Sequence, residues 1–428
     1  MACAGWNRTT GRARVAMLVL SALAAMACEA AAQGPIDEAL RHTVKIGVTI
    51  RHPFGFDHKG AATGSGFLVD RARGWIATNA HVAGRSPSRL RVNFRNGDPI
   101  EARKVHVDAH VDLAILAIPV DAIPAAASEA RLRCAGDAVP GTAAIAFGHP
   151  WGLDFTATRG IVSSVRSLRG VEVLQTDAAL NGGNSGGPLL DEASGQVIGV
   201  SAAAVGRRGA STEGLNLAVP VRHLCTILGL LRDGADPAPP RLPVAFAETT
   251  RDRELVVGAV AEPWAGRLRI GDRILAIDGD ETARYPSRAI EKARGATALR
   301  VDLERDGKRL AVDLEVPADR IRVAPRGLAF SGLLVAAGGL AEIPPGQPAI
   351  HHVEDASAAE SVDMRHWDWI LAVAGIETPS FDVLADVVHA HRGREVEFVL
   401  RRAGSRDEWH HRAIRLTIED VEQVGDAR

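Results

Sequence analysis

The stretch NGGNSGGPLLDEASGQVIGV, Asn181 to Val200, decides the fold. One serine, Ser185, stands among four glycines, and Gly183-Asn184-Ser185-Gly186-Gly187 satisfies the G-x-S-x-G pattern of a nucleophile on a strand-to-helix elbow. Such an elbow needs a helix after the serine, then an acid and a histidine further along the chain. Here PLLD is followed by the polar turn DEASGQ and by VIGV, which reads as strand, turn, strand. The elbow fails on its own geometry. The serine sits in a β-rich setting, and any base and acid for it must come from earlier in the chain.

Working outward, short apolar runs punctuated by glycine fill the chain from Thr43 to about Pro220, among them VKIGVTI, GSGFLVD, GWIATNAHV, DLAILAI, AAIAFG, VEVLQT and LNLAVPV. Many short strands with hardly a helical period predict an all-β barrel or sandwich. The first good helix is PVRHLCTILGLL, with Val221, Leu224, Cys225, Leu228 and Leu231 on one face. The segment RDGADPAPPRLP after it cannot continue a helix and reads as a semi-rigid linker. Beyond it the chain repeats itself: LRIGDRILAIDG (Leu268 to Gly279) aligns with MRHWDWILAVAG (Met364 to Gly375), placing Asp272 on Asp368 and Gly279 on Gly375. A short amphipathic helix and a strand pair follow each copy, so the repeat is a duplicated small module.

The 428 residues, 46% hydrophobic, are enough for two or three cores, and a net charge of -2 offers no broad basic surface for nucleic acid. Residues 1–32 have the layout of a secretory signal peptide: Arg8, Arg12 and Arg14, then the apolar run Val15 to Ala27, then small residues around Ala27 and Ala32. Export to the periplasm is the expectation, with lipid attachment at Cys28 or full secretion as alternatives. Cys134 and Cys225 then remain; export would allow the pair to oxidise, but lying far apart without a spacing signal they are read as two buried thiols in preference to a disulfide. No metal-ligand spacing is present, and the doublets His351-His352 and His410-His411 are read as surface or groove residues. Neither a metal nor an organic cofactor is expected.

Acyl transfer by a serine needs an activated hydroxyl, a base, a carboxylate to orient that base, and N–H groups aimed at the oxyanion. Ser185 has glycines on both sides that let the N–H groups of Gly183 and Ser185 converge. His81 ends the strand GWIATNAHV, and Asp112 opens DLAILAI, from which a carboxylate can be buried against the histidine ring. The order His81, Asp112, Ser185 is that of chymotrypsin-type barrels. Asp108 and His110 are rivals for acid and base, ranked below because Asp112 and not Asp108 stands at the strand entry.

Taken in order, TNAHV, DAHVDLAILAI, FGHPWGLDFTATRGIVSSV, QTDAALNGGNSGGPLLD and LNLAVPV resemble the HtrA/Deg serine proteases, and the duplicated modules resemble their PDZ domains. The resemblance implies a mainly β fold: a chymotrypsin-like double β-barrel over residues 36–232, a Pro-rich linker at 233–243, PDZ-like α+β domains at 244–320 and 325–418, and a tail at 419–428. It implies His81 as general base, Asp112 as orienting acid, Ser185 as nucleophile, and an oxyanion hole at Gly183 and Ser185. The pocket for the residue before the cleaved bond falls on Leu180, Leu215, Asn216, Leu217 and Ala218, whose aliphatic walls suit small or medium apolar side chains. The implied partners are unfolded polypeptides, apolar peptide C-termini and further copies of the chain in a trimer or larger assembly. The chain also departs from the family. RSLRGVE is brief where members carry a longer sensing loop, and Pro243 stands where the first module would offer a carboxylate-binding N–H. In the second module, AFSGLLV suggests a carboxylate loop at Gly332, Leu333 and Leu334, although Trp367 replaces a glycine before Asp368. The competing reading is a non-proteolytic chaperone or scaffold on the same fold.

Overall fold

A computed structural model describes residues 34–54, 57–136, 138–168, 171–202, 216–247, 255–281, 286–321, 326–337, 346–403 and 409–425. The expected signal peptide and Leu215 fall outside them. Helix α1 (Pro35–His42) leads into the first barrel: β1 (Thr43–Ile50), β2 (Gly60–Asp70), β3 (Trp75–Thr78), the single turn α2 (Ala80–Ala83), β4 (Arg89–Asn93), β5 (Ile100–Asp108) and β6 (Leu113–Ala117). The second comprises β7 (Ala143–Gly148), β8 (Thr156–Leu168), β9 (Val171–Thr176), β10 (Pro188–Asp191), β11 (Val197–Ala202) and β12 (Asn216–Pro220), and helix α3 (Val221–Arg232) follows. Each closes on itself with six strands, in the orders β1-β2-β3-β6-β5-β4 and β10-β11-β12-β9-β8-β7. The fold is the mainly β double barrel.

Alternation assigns each side chain to a core. In β1, Val44, Ile46, Val48 and Ile50 point into the first barrel with Ala114 and Leu116 of β6. The other face of β6, Leu113 and Ile115, joins Phe67, Phe147, Leu190 and Val200 in a core between the barrels, which Leu224 and Leu228 of α3 seal. After Asp112 the run LAILAI is apolar throughout because both of its faces are buried. Cys134 and Cys225 are joined by a disulfide, which corrects the reading of two free thiols: barrel closure and α3 bring their Cα atoms to 5.8 Å across a separation of 91 residues.

The chain then forms β13 (Val244–Phe246), β14 (Leu255–Val260), β15 (Arg273–Ile277), α4 (Pro286–Ala293), β16 (Ala298–Arg305) and β17 (Lys308–Glu315), a five-stranded sheet in sequence order. A second sheet is built from β18 (Arg326–Phe330), β19 (Leu333–Ala337), β20 (Pro348–Val353), α5 (Ala358–Ser361), β21 (Trp369–Val373), β22 (Ile376–Glu377), α6 (Phe381–Ala390), β23 (Glu395–Ala403), β24 (Trp409–Thr417) and β25 (Glu422–Gly425). Its order is β24-β23-β21-β20-β19-β18-β25, with β22 on β21. Two expectations are corrected here. Residues 422–425 are not part of a free tail, because β25 pairs antiparallel with β18. Nor do Gly332, Leu333 and Leu334 form an open carboxylate loop. Ser331 and Gly332, with φ of 51° and 81°, make a two-residue hairpin turn, and β19 is paired on both edges, with β18 and β20.

Both sheets dock on the barrels. The linker is packed, with Pro237 to Pro240 buried. From α4, Ser287 Oγ accepts a hydrogen bond from Glu172 N at 3.1 Å and Arg288 donates to the Glu172 carboxylate at 3.1 Å. Asp108, the rival acid, is fully buried at this interface, where it pairs with Arg294 and accepts from the N–H groups of His110 and Val111. At the other end, Phe54, between β1 and β2, is buried with Leu334, Ala336 and Val424 of the last sheet.

Candidate active site

Strand β3 delivers its last residue, Thr78, to the seam between the barrels, and one turn of helix then swings His81 outward. Asn79 pins that turn by donating from Nδ2 to the Asp112 carbonyl at 2.9 Å. Asp112 occupies the corner before β6 with φ of 56°, a left-handed conformation that aspartate tolerates better than most residues. Both of its oxygens meet His81: Oδ1 accepts from the backbone N–H at 3.0 Å and Oδ2 lies 2.7 Å from Nδ1. A carboxylate can only accept, so Nδ1 carries the proton and Nε2 is left with its lone pair. Asp112 keeps 31% side-chain exposure, so it is less enclosed than the sequence reading expects.

Ser185 is buried, 5% exposed, in the turn between β9 and β10. Its carbonyl accepts from Ser65 N of β2 at 2.8 Å, and Gly186 N donates to Ser201 O at 2.7 Å, so both barrels hold the turn. Two glycines permit its proximity to the His81 turn. A Cβ on Gly186, whose φ is 85°, would lie 2.2 Å from Thr78 Oγ1; one on Gly64 would lie 2.6 Å from Val82 and 3.2 Å from the Ser185 carbonyl. His81, Asp112 and Ser185 are thus gathered where β2, β3 and the 181–187 turn meet.

Gly183 has φ of 108°, and a Cβ there would fall 2.1 Å from the His149 carbonyl. The Gly182 carbonyl accepts from Trp151 N at 2.8 Å. In a trans peptide the N–H points opposite to the C=O, so the Gly183 N–H is turned away from Trp151, and among the described residues it makes no hydrogen bond. Among these residues, no group of three or more His, Cys, Asp or Glu side chains is arranged to hold a metal ion.

Residues 64–200 match the family of trypsin-like peptidase domains. Over 287 residues the chain is 34% identical to the putative serine protease HhoA of Synechocystis sp., covering 60% of this chain and 70% of that protein. The chain belongs to the HtrA/Deg family of serine proteases. It is 33% identical to a probable periplasmic serine endoprotease, DegP-like, of Pseudomonas fluorescens, covering 60% of this chain and 56% of that one. It also resembles the solved structure of the HtrA-type protease AlgW with a tripeptide, at 27% identity and a TM-score of 0.51, over 66% of this chain and 95% of the other. This HtrA/Deg protease is therefore a serine endopeptidase, a hydrolase of peptide bonds.

In this HtrA/Deg chain the expected pocket residues are only partly gathered. Leu180 and Ala218 pack inside the second barrel with Ala178 and Val162. Asn216 donates from Nδ2 to the Ala178 carbonyl at 3.0 Å, and Leu217 lies opposite Gln175 in the pairing of β12 with β9. Two residues beside the catalytic candidates escape the sequence reading, Ser65 and His149, both fully buried. Ser65 Oγ lies 2.7 Å from the Gly183 carbonyl and 3.0 Å from His149 Nδ1. Burial, with Lys45 acting in the same direction and Asp154 opposing, pushes the His149 pKa down to about 4. The only signals in the sequence are a serine between two glycines in GSGF and a histidine between glycine and proline in FGHPWG.

Proposed function

We propose that His81, Asp112 and Ser185 are the catalytic triad of this endopeptidase, with Gly183 N–H and Ser185 N–H as the oxyanion hole. The observation that carries this reading is the double contact of Asp112 with His81, through backbone and ring, beside the glycine-framed Ser185. His81 Nε2 takes the Ser185 proton as Oγ attacks the scissile carbonyl, and the developing oxyanion is held by the two N–H groups. His81 then protonates the departing amine. Water, activated by the same nitrogen, hydrolyses the acyl-enzyme, while Asp112 keeps the ring oriented and stabilises its cationic form. The substrates are unfolded or damaged polypeptides cleaved after small or medium apolar residues, in a chain exported to the periplasm and assembled from several copies. The two C-terminal sheets, β13 to β17 and β18 to β25, serve as PDZ-like modules for regulation, or for capture through a surface other than the β19 edge that β18 covers. A fluorophosphonate probe tests the centre: the protein should be labelled, and Ser185→Ala should abolish both labelling and casein cleavage without a large change in melting temperature. A folded protein that is never labelled, even with denatured substrate present, overturns the assignment.

A further inference from the structure

We infer that Ser65 and His149 are positioning residues that hold the oxyanion turn through a hydrogen-bond chain ending on the Gly183 carbonyl. The inference rests on the proposed role of Gly183. Three contacts converge on Ser65 Oγ: the Gly183 carbonyl at 2.7 Å, His149 Nδ1 at 3.0 Å and His149 N at 3.1 Å. A hydroxyl has one proton and two lone pairs. The carbonyl can only accept, so it takes the proton; both His149 groups then donate to the oxygen, and the imidazole must carry its proton on Nδ1. The chain runs from His149 Nδ1–H to Ser65 Oγ–H to the Gly183 carbonyl. This choice leaves Nε2 as an acceptor, buried and without a partner among the described residues. An unpartnered buried nitrogen is unfavourable, so the ring is kept in place by what Nδ1 does. Phe155 fixes its plane from the side, ring centroids 4.6 Å apart.

The Gly183 carbonyl matters because of the peptides around it. Ser65 holds the C=O of the peptide joining Gly183 to Asn184, and Asn181 O holds its N–H at 3.0 Å. The preceding peptide has its C=O held by Trp151 N. Of the N–H and C=O groups of these two peptides, the Gly183 N–H, on the other side of that plane, is the one left to join Ser185 N–H at an oxyanion. Gly183 has no Cβ to resist rotation, so nothing in its own chemistry prevents the preceding peptide from flipping and presenting a carbonyl instead. The anchors to Ser65 and Trp151 oppose that flip. The approach of His149 to the turn depends on Gly148, where a Cβ would fall 2.7 Å from Ser65 Oγ and 2.9 Å from Asn184 Oδ1.

Ser65→Ala and His149→Leu remove the chain at its two links, and His149→Asn keeps an N–H donor near the position of Nδ1 while discarding the unpartnered nitrogen. With a fluorogenic peptide, Ser65→Ala and His149→Leu should lower kcat by about 10-fold or more while KM stays within about 2-fold, since the hole acts on the transition state. His149→Asn should keep most of the activity, and all three should melt within a few degrees of wild type. Should His149→Leu fail to fold, Ser65→Ala alone carries the test. A Ser65→Ala kcat within about 2-fold of wild type, or His149→Asn no better than His149→Leu, overturns the inference. Active Ser185→Ala protein would instead overturn the triad, so the two failures are distinct.

Discussion

Replacing Arg294 by alanine should release the first C-terminal sheet from the barrels. Arg294 leaves α4 and reaches Asp108 at the end of β5, and the two side chains are 2% and 0% exposed. Burial raises the Asp108 pKa, but Arg294, with His106 and His110, outweighs it and holds the carboxyl below its ordinary value. The same guanidinium donates to the Pro237 carbonyl, tying the linker to the joint. Without Arg294 the carboxylate loses its buried counter-charge, although the N–H groups of His110 and Val111 still donate to it. Stranding one partner of a buried pair costs about 3–5 kcal/mol, which at about 1.4 kcal/mol per factor of ten weakens docking by two to nearly four orders of magnitude. The barrels retain their own cores, so the loss should appear as undocking: an earlier separate transition in calorimetry, and faster trypsin cleavage at Arg232 and Arg241. Asp108→Asn keeps an oxygen for the two N–H groups, and combined with Arg294→Met it removes both charges, so the double variant should recover much of the loss. Unchanged cleavage and a melting temperature within about 2 °C for Arg294→Ala refute the reasoning, as does a double variant whose losses simply add.

Reducing the Cys134–Cys225 disulfide opens a 91-residue loop and should lower stability by up to about 4–5 kcal/mol on the chain-entropy argument; two free thiols in oxidised protein with the same denaturation midpoint would contradict it. Phe54→Ala empties the contact with Leu334, Ala336 and Val424 at a cost of about 3 kcal/mol or more. It should speed amide exchange in β25 by at least about 10²-fold, and unchanged exchange would reject the docking role. Burial holds His42, His149 and His351 neutral with pKa values of about 4. These lie below the unfolded value, so between about pH 6.5 and 4 the unfolded chain binds more protons, and stability falls as pH drops through that window by up to about 1.4 kcal/mol per unit for each histidine. A melting temperature that stays flat down to about pH 5 would contradict this.

The double barrel is legible because its evidence is local: short apolar runs, glycine between them, and a β6 whose unbroken apolarity reports burial on both faces. The candidate triad is legible in part for the same reason, since His81 and Asp112 stand at strand boundaries that the runs themselves mark. What escapes has its cause in pairing across the chain. Asp108 looks in sequence like a second acid beside Asp112, and only Arg294, 186 residues away, makes it a docking residue. The register of Leu328 opposite Gln423 has no trace in the periodicity of either segment, so β25 reads as tail. The second-module loop is a different failure, because its signal was present. Ser-Gly between LAF and LLV is the two-residue pattern of a tight hairpin, and a hairpin spends the N–H groups of β19 on its neighbours. An N–H already in a ladder cannot also receive a peptide carboxylate, so strand β18, lying along β19, occupies the edge to which a peptide would add.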